Sequence, residues 1–368
     1  MRTMKEIRTV DAVGHVLCHD ITQVIKDVSM GPVFRKGHVI REEDIPVLLN
    51  VGKEHIYVWE NDETMMHEDE AAEVLCSLCM GENITRGEAK EGKIDLRAAC
   101  DGVLKVNEEA LEAVNSFGQM MIATRHGDFI VREGEKLAGT RIIPLVIEKA
   151  KMEAVRAKAG EVSGGAPILH VLPLRKRKVG IVTTGNEVFR GRVEDTFTPV
   201  VAAKVEEFGA EVIARERCGD DKERIERTIR EMLAGGADII LCAGGMSVDP
   251  DDRTPAAIRE VCGQENVVTY GAPVLPGSMF LLAYYGGGSD RSDSDESDRG
   301  GSDSGAGLIP VMGLPSCVMY ARRTIFDLVL PRIIAGEMLR GADFARLGQG
   351  GLCLDCEVCT FPNCGFGK

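Results

Sequence analysis

VGIVTTGNE, at residues 179–187, decides the fold class, because it joins an apolar strand pattern to a glycine-bearing loop. A continuous apolar run of this kind is typical of a buried strand in a parallel sheet. Three further glycine loops follow it: GGMSVDPDD (244–252), PGS (276–278) and GLPS (313–316). Each is placed where a parallel strand should end, and open α/β sheets bind ligands outside the carboxyl ends of their strands. The four loops therefore predict one site, whose backbone N–H groups suit an anionic ligand such as phosphate.

Strand and helix patterns alternate regularly from Val179 to Gly336, which predicts a doubly wound α/β domain with a mostly parallel sheet. The further strand patterns are AEVIARERC (210–218), ADIILCAGG (237–245), NVVTYGAPVLPG (266–277) and LIPVMGLP (308–315). The helix patterns are TPVVAAKVEEFG (198–209), DKERIERTIREMLAGG (221–236), DRTPAAIREVC (252–262) and a final long helix from Cys317 to Gly336.

The rest of the chain predicts a three-part organisation. Residues 1–174 mix strand and helix signals and predict an α+β region, with an exposed helix at Ile147–Glu161. The α/β domain is placed at residues 175–340 and a short cysteine-rich tail at residues 341–368. Residues 286–307 lack an apolar residue able to anchor a fold, so they predict a disordered acidic insertion in the α/β domain.

The amino-acid composition and net charge argue against some classes of binding partner. The chain has 368 residues and a formal net charge of −14 at pH 7. This charge argues against a nucleic-acid partner or an anionic membrane, which would need a basic face, but not against a phosphorylated ligand at a local site. The first twenty residues contain no apolar core of a signal peptide, and the apolar stretch around residues 274–285 is too short to span a bilayer. We therefore expect a soluble, cytoplasmic protein.

Twelve cysteines suggest a second kind of chemistry. Cys76 and Cys79 form a C-x2-C pair. We interpret them as two cysteines on a helix without a functional role, in preference to a redox pair. The last sixteen residues carry four cysteines in the spacing C-x2-C-x2-C-x4-C, which can enclose Zn²⁺ or bind an iron–sulfur cluster. These are Cys353, Cys356, Cys359 and Cys364. The remaining cysteines are scattered and are interpreted mostly as small buried side chains.

The four loops, in this order, resemble the molybdopterin-binding domain of molybdenum-cofactor biosynthesis proteins. That group includes molybdopterin molybdenumtransferases, molybdopterin adenylyltransferases and CinA-like domains, and the resemblance covers Val179 to Gly336. TGNEV is similar to the TGDEL motif of the molybdenumtransferases, and GGMSV is similar to their GGVSV. The N-terminal stretch FRKGHVIREEDIPVLLNVGKEHIYV (34–58) also looks like that branch.

Several positions depart from the molybdenumtransferase pattern. Asn186 stands where that branch has aspartate, Ser278 stands where it has lysine, and Cys317 stands where it has asparagine. Losing the lysine charge leaves Arg253 and Arg322 as the basic residues that could compensate. DDRTPAA (251–257) looks instead like the DxTP segment of the adenylyltransferase and CinA-like groups, and the tail replaces the C-terminal β-domain usual in molybdenumtransferases.

The resemblance implies a protein that binds adenylylated molybdopterin, inserts molybdate or tungstate, and releases AMP with the help of Mg²⁺. In this interpretation Asp252 and Glu187 are catalytic, and Asp251 and Asp252 hold the metal ion. Helix capping is the plain alternative for Asp252, since an aspartate before a helix accepts backbone N–H bonds whatever the function. The expected ligand-binding residues are Thr184, Gly185, Asn186, Gly244, Gly245, Ser247, Pro276, Gly277, Ser278, Gly313, Pro315 and Ser316.

Two alternatives stay open at this point. The substitutions and the missing C-terminal domain favour a non-catalytic molybdopterin carrier or sensor, whereas the DxTP segment favours a molybdopterin adenylyltransferase. The expected partners are molybdopterin and molybdate or tungstate, together with enzymes that receive the cofactor. Since members of the resembled family commonly assemble, we expect a homo-oligomer.

Overall fold

A computed structural model of the protein describes residues 2–25, 29–61, 64–286 and 307–368. The chain divides into two compact units, of which the first comprises Met1–Cys100, Leu104–Gly127 and Val131–Val171. The second unit comprises Asp101–Val103, Asp128–Ile130 and Leu172–Lys368. This division by contacts does not test the predicted domain boundaries. The predicted acidic insertion, apart from Gly286 and Gly307, lies outside the described residues.

The chain before residue 174 combines short strands with four α-helices among its described residues, which confirms the predicted α+β character. The strands are β1 (Arg2–Arg8), β2 (Ile21–Ile25), β3 (Ser29–Phe34), β4 (His55–Asn61), β5 (Met65–His67), β6 (Ile84–Arg86), β7 (Lys93–Ala98), β8 (Gly102–Val106), β9 (Met120–Thr124), β10 (Ile130–Val131), β11 (Lys136–Ile142), β12 (Val146–Glu148) and β13 (Leu169–Pro173). The helices are α1 (Ile45–Asn50), α2 (Glu68–Cys79), α3 (Glu108–Asn115) and α4 (Lys149–Ser163).

The first unit builds two apolar clusters. β1 pairs antiparallel with β4, and a cluster that includes Leu17, Ile40, Leu48 and Ile56 lies in this N-terminal part. A second antiparallel sheet has the strand order β6-β7-β11-β9. Helices α2, α3 and α4 contribute buried side chains, among them Leu75, to the second cluster. The predicted helix at residues 147–161 is confirmed as α4, which begins two residues later.

The second unit contains the predicted doubly wound sheet. Its strands are β14 (Lys178–Thr184), β15 (Glu211–Cys218), β16 (Ile239–Ala243), β17 (Val267–Tyr270), β18 (Leu281–Tyr285) and β19 (Ile309–Leu314). Its helices are α5 (Asn186–Phe189), α6 (Phe197–Glu207), α7 (Lys222–Ala234), α8 (Thr254–Cys262), α9 (Ile325–Ala335) and α10 (Gly341–Arg346).

The sheet has the order β15-β14-β16-β19-β18-β17, in which the first four strands are parallel and β18 runs antiparallel to both of its neighbours, β19 and β17. Alternate residues of β14 face opposite sides: Ile181 lies in a cluster with α6 and α9, and Val182 in a cluster with α7 and α8. Apolar contacts therefore cover both faces, as in other doubly wound sheets. No helix within the described residues is long and apolar enough to cross a membrane.

The register of the parallel strands aligns their carboxyl ends. Thr184 of β14 pairs with Cys218 of β15, and Thr183 pairs with Ala243 of β16. Ala243 in turn pairs with Leu314 of β19. The segments that follow these four strands therefore start side by side at one edge of the sheet.

The predicted helix from Cys317 to Gly336 is wrong in its first half. A short 3₁₀ helix at Ser316–Met319 ends before a break, and α9 begins only at Ile325. The break has a local cause, because Thr324 and Asp327 form a capping box: the hydroxyl of Thr324 accepts from Phe326 N at 3.2 Å, and the carboxylate of Asp327 accepts from Thr324 N at 2.7 Å. This pairing starts a new helix at that point.

Asp327 is also the centre of a buried charge network. Its side chain is fully buried and accepts from Lys204 Nζ of α6 at 2.5 Å and from Arg323 at 2.9 Å. Arg323 reaches Glu207 at the end of α6 at 3.0 Å. Because removing one partner leaves an unpaired charge in the interior, such a pair is costly to break, by about 3–5 kcal/mol.

We expect Asp327→Asn to lower the free energy of unfolding by about 3–5 kcal/mol, because the amide keeps the shape of the side chain but leaves Lys204 without its counter-charge. Chemical denaturation monitored by circular dichroism measures this effect. Glu43→Gln is the matched control, since Glu43 pairs with Arg41 on the surface, where side chains are more than two-thirds exposed, and should cost less than about 1 kcal/mol. Equal effects of the two substitutions would contradict the assignment of Asp327 to the core network.

Glu68, the first residue of α2, carries an unusual carboxyl group. Burial, together with the charges of Asp69 and Glu91, raises the pKa of Glu68 to about 7. Lys36 and Arg141 lower it, but by less than the groups that raise it. The folded state therefore binds the proton more tightly than the unfolded chain does.

Because the pKa of Glu68 is higher in the folded state, its contribution to stability is largest below the ordinary pKa of glutamate and is lost as the pH rises to about 7. We expect Glu68→Gln to flatten this decline between about pH 4.5 and 7, since the amide mimics the protonated acid. Denaturation curves over this range provide the measurement. Glu70→Gln, on an exposed residue of the same helical turn, should leave the slope unchanged, and a slope unaffected by Glu68→Gln would refute the assignment.

Candidate functional site

A cavity of about 500 Å³ lies at the carboxyl edge of the parallel strands in the second unit. Residues of three of the four glycine loops line it: Gly185 after β14, Gly244 after β16 and Ser316 after β19. Three of the four predicted loops therefore meet at one cavity, and their role in binding a ligand stays a prediction. The cavity is large enough for a small organic ligand, since pockets of this kind occupy about 300–1,000 Å³.

The loop after β14 combines a glycine with a folded-back glutamate. Gly185 has φ +137°, and a Cβ atom at this position would lie 2.9 Å from Oε1 of Glu187. The side chain of Glu187 thus packs over the glycine and stays at the wall of the cavity. A larger residue at position 185 would displace that carboxylate as well as strain the backbone.

The loop after β16 is held by Asp252. Gly244 has φ +94°, and a Cβ atom there would collide with the carbonyl oxygen of Thr184. The turn closes where Ser247 N donates to Oδ2 of Asp252 at 2.8 Å. Asp252 also precedes α8, but this backbone bond comes from the loop rather than from the helix. The carboxylate therefore shapes the glycine loop while it lines the cavity.

Hydroxyl groups connect β14 to two helices beneath the cavity. The hydroxyl groups of Thr183 and Thr198 are 2.6 Å apart, and those of Thr184 and Thr254 are 3.0 Å apart. Asp195 accepts from the hydroxyl of Thr198 at 2.6 Å and from its backbone N at 2.9 Å, at the start of α6. These bonds join the end of β14 to the first turns of α6 and α8, so the floor of the cavity is pre-organised.

Asp220 is the functional candidate that sequence reasoning missed. It follows β15, lines the cavity and accepts from Asn186 N at 2.9 Å. Burial raises the pKa of Asp220, and the charges of Glu187, Asp252 and Asp251 raise it further, against the opposing bond from Asn186. The missed signal was the position of Asp220 just after a predicted parallel strand, CGDD, in a loop with only one glycine.

The charge of the described cavity lining is entirely negative. Its ionisable residues are Glu187, Glu194, Asp195, Asp220 and Asp252, and none of the described lining residues is lysine or arginine. Arg253 and Arg322, named from the sequence as basic residues that could compensate for Ser278, are not among the lining residues. A phosphate group placed here would be repelled by several kcal/mol per nearby charge pair, at about 4 kcal/mol for two unit charges 4 Å apart near a protein surface.

The structure separates the sequence-predicted residues into two groups. Those that line the cavity are Thr184, Gly185, Glu187, Gly244, Gly245, Ser247, Asp252, Pro315 and Ser316. Those that do not line it are Asn186, Asp251, Pro276, Gly277, Ser278 and Gly313. Asn186 acts on the site indirectly by bonding Asp220, and Gly313 makes room for Met246, which does line the cavity.

The PGS loop corrects one part of the sequence interpretation. It does not end a parallel strand but precedes β18, which runs antiparallel to β19. Gly277 packs against Ile325 at the start of α9, where a Cβ atom would lie 2.6 Å from Cγ2 of Ile325. Met279, two residues on, is the part of this segment that reaches the cavity.

The four tail cysteines are not arranged as a metal site in the structure. Cys356 and Cys359 are exposed, and Cys353 and Cys364 are half-buried. Within the described part of the chain, no group of three or more His, Cys, Asp or Glu side chains is arranged to hold a metal ion. Metal binding by the tail and by Asp251 and Asp252 stays a prediction.

Comparison with known proteins supports the interpretation of the second unit. Residues 180–335 match the family described as "Probable molybdopterin binding domain", which confirms the resemblance seen in the loops. Residues 6–60 match a family described as "Domain of unknown function (DUF8806)". The likeness of residues 34–58 to molybdenumtransferases therefore stays a prediction.

Curated relatives match over a short segment. The CinA-like protein of Mycobacterium sp. (strain MCS) is 38% identical over 91 residues, which is 25% of this chain and 22% of that protein. The CinA-like protein of Mycobacterium tuberculosis (strain ATCC 25618 / H37Rv) is also 38% identical over 91 residues, which is 25% of this chain and 21% of that protein. The chain thus spans about a fifth of the length of these relatives.

Solved structures with similarity include the molybdopterin biosynthesis enzyme MoaB from Thermus thermophilus, with 23% identity and a TM-score of 0.31. This match covers 44% of the present chain and 98% of that chain. The tungsten cofactor synthesizing protein MoaB from Pyrococcus furiosus has 15% identity and a TM-score of 0.31, covering 43% and 91%. These scores are too low to support an argument about function.

The raised pKa of Asp220 can be tested without a ligand. We expect Asp220 to titrate above the usual aspartate range, and Glu187→Gln to shift its pKa downward, because one of the neighbouring negative charges is removed. Carboxyl carbon chemical shifts followed by NMR titration measure this value. Glu223→Gln, on an exposed residue of α7, is the charge-matched control. If both substitutions shift Asp220 equally, the carboxylates at the sheet edge do not form one electrostatic cluster.

Proposed function

We propose that this chain, whose residues 180–335 belong to the probable molybdopterin-binding domain family, binds adenylylated molybdopterin in the cavity at its sheet edge. The proposed reaction is of the molybdenumtransferase type: the pterin dithiolene receives molybdate or tungstate, and AMP is released. The observation that carries the proposal is the meeting of three glycine loops and three carboxylates, Glu187, Asp220 and Asp252, around one cavity.

AMP release is a displacement at phosphorus. An oxygen nucleophile attacks one phosphorus atom of the pyrophosphate link, and the bridging P–O bond breaks. If the attack is on the pterin-side phosphorus, AMP is the leaving group and keeps the bridging oxygen and the bond electrons. If the attack is on the phosphorus of AMP, AMP gains the new oxygen and the pterin phosphate is the leaving group. Catalysis of such reactions is mostly positioning and charge neutralisation. The chain supplies positioning through the backbone of Gly185 and Gly244–Ser247, which can approach phosphate oxygens closely, and through the hydroxyl groups of Ser247 and Ser316.

The lining residues fit a divalent cation such as Mg²⁺. The donors are carboxylate oxygens, which are the ligands that Mg²⁺ prefers, and Mg²⁺ commonly binds through one or two carboxylates together with substrate phosphates. Asp252 and Glu187 would hold it, with Asp220 as a third candidate. When bound, the ion would offset the negative charge of both the cavity and the pyrophosphate. In its absence the described lining offers a phosphate no positive side chain.

Asp252 has two roles in this proposal. It orders the Gly244–Ser247 turn through the bond from Ser247 N, and it presents carboxylate charge to the cavity. Asp251, the other metal ligand suggested by the resemblance, does not line the cavity. Its charge nevertheless adds to the field that raises the pKa of Asp220.

A second candidate function is non-catalytic binding, as in a molybdopterin carrier or sensor. The specific observation in its favour is that neither Arg253 nor Arg322 lines the cavity, so that the charge lost at Ser278 has no substitute among the described lining residues. Assembly into a homo-oligomer and transfer of the product to cofactor-receiving enzymes are further parts of the proposal that rest on the resemblance alone. The four tail cysteines take no part in the proposed reaction.

The proposal predicts AMP release from adenylylated molybdopterin under anaerobic conditions, dependent on both Mg²⁺ and molybdate. Asp252→Asn should reduce the rate about a hundredfold or more, because it removes charge from the cation site. The amide oxygen can still accept from Ser247 N, so the loop should keep its shape. Chromatographic quantification of AMP measures the rate.

Asp249→Asn is the matched control, because it removes the same charge from the same loop at a residue outside the cavity lining. It should keep nearly the full rate of AMP release. Ligand binding without AMP release would overturn the transferase proposal in favour of the carrier. Pyrophosphate formation from ATP and molybdopterin would replace it with an adenylyltransferase.

A further inference from the structure

The C-terminal segment closes on itself into a loop. Gly367 N donates to Gly350 O at 2.9 Å, so the two ends of the loop meet. Next to this closure, Leu275 N donates to Gly351 O and Cys353 N donates to Leu275 O, both at 2.8 Å. Between these ends, residues 350–368 form neither a helix nor an extended strand. We call residues 350–367 the cysteine loop.

Two aromatic side chains fix one half of the cysteine loop. Phe366 is buried, and Phe361 lies between Phe129 and Phe366 with ring centroids 5.9 Å and 6.2 Å away. The half-buried Cys353 and Cys364 pack against the same apolar cluster. The first and last of the four cysteines are thereby held on one surface of the second unit, at opposite ends of the loop sequence.

The other half of the cysteine loop has exposed apolar side chains. Leu354 and Val358 are 78% and 76% exposed, and Cys356 and Cys359 beside them are exposed too. Arg322 donates to the carbonyl oxygens of Cys356 and Glu357 at 2.8 Å and 2.6 Å. Small segments without a core of their own are commonly stabilised by a bound metal or by disulfides.

Most cysteines outside the cysteine loop are buried. Burial raises the pKa of the thiols of Cys18, Cys79 and Cys262 to about 12. Such groups stay protonated and make poor ligands, because metals bind the thiolate. Cys76, although spaced C-x2-C with Cys79, is buried in α2 and has a raised pKa as well. Equal spacing therefore does not make the two cysteine groups equivalent.

We infer that the cysteine loop is a metal centre in which Cys353, Cys356, Cys359 and Cys364 bind a thiophilic metal. Sulfur ligands of this kind select Zn²⁺ or an iron–sulfur cluster over Mg²⁺ or Ca²⁺. The fixed Cys353 and Cys364 provide two anchored ligands, and the exposed Cys356 and Cys359 move onto the metal to complete the set. Metal binding then orders the Leu354–Thr360 segment, since ligation in such loops supplies folding free energy.

The cysteine loop is also connected to a segment that lines the cavity at the sheet edge. Arg322, which binds the cysteine loop, follows the 3₁₀ helix whose Ser316 and Met319 line the cavity. The backbone oxygen of Arg322 accepts from Lys204 Nζ at 3.2 Å, which connects this segment to the buried charge network at Asp327. The metal centre is thus attached to the wall of the ligand site, although its existence does not depend on what that site binds.

The test uses the full chain, purified and handled without oxygen in the presence of a reductant. Metal is first quantified in the purified protein, and metal-free protein is then given either Zn²⁺ alone or Fe²⁺ with sulfide. We expect about one Zn²⁺ per chain in the first arm, or about four iron with sulfide and visible absorbance in the second. The arm that reproduces the metal of the purified protein identifies it.

Substitution then assigns the ligands. Cys356→Ser combined with Cys359→Ser should lower metal content at least tenfold, and metal should protect the tail thiols of the unsubstituted chain from a thiol reagent. Cys100→Ser is the matched control, since Cys100 is a half-buried cysteine outside the cysteine loop, and it should keep the full metal content. Circular dichroism checks that each variant is folded.

The inference is overturned if the folded chain takes up neither zinc nor an iron–sulfur cluster. It is also overturned if the double substitution leaves the metal content unchanged, or if Cys100→Ser lowers it equally. None of these measurements contains a pterin or nucleotide. Failure of the metal centre and failure of the proposed transferase reaction can therefore be told apart.

Discussion

The common end point of four parallel strands is the constraint on which the site depends. The register places Thr184, Cys218, Ala243 and Leu314 side by side, so the segments that follow them must emerge at one edge of the sheet. The apolar clusters on the two faces of the sheet hold that register, because a shift of one residue would turn each strand's buried side chains to the wrong face. The hydroxyl bonds beneath the cavity and the bond from Ser247 N to Asp252 then fix the loops on this edge.

The same arrangement places several negative charges around a cavity that we propose binds an anionic ligand. Backbone amides and glycines make the edge suitable for phosphate, yet the described lining contributes carboxylates and no positive side chain. Burial raises the pKa of Asp220, and the charges of Glu187 and Asp252 raise it further. In our proposal a divalent cation would resolve this conflict, because the carboxylates that repel a phosphate are also the ligands that a hard cation requires.

The sequence was sufficient for the fold class and for three of the four loops at the site. Strand ends marked by glycine could be recognised because glycine is needed where the backbone takes a left-handed turn, as at Gly244. Asp220 was not recognised from the sequence, because its loop is held by a hydrogen bond from Asn186 rather than marked by several glycines. The role of PGS could not be predicted, because the sequence pattern does not reveal that β18 runs antiparallel. The break before α9 depends on the capping pair Thr324 and Asp327, a local signal that an apolar helix pattern conceals.

The most direct test of the account is a crystal structure of the full chain with adenylylated molybdopterin and Mg²⁺. The account predicts that the pyrophosphate lies against Gly185 and the Gly244–Ser247 turn, with a metal ion bound by Asp252 and at least one of Glu187 and Asp220. Density for the ligand at another surface, or a pyrophosphate bound in the cavity by basic side chains without a cation, would contradict it.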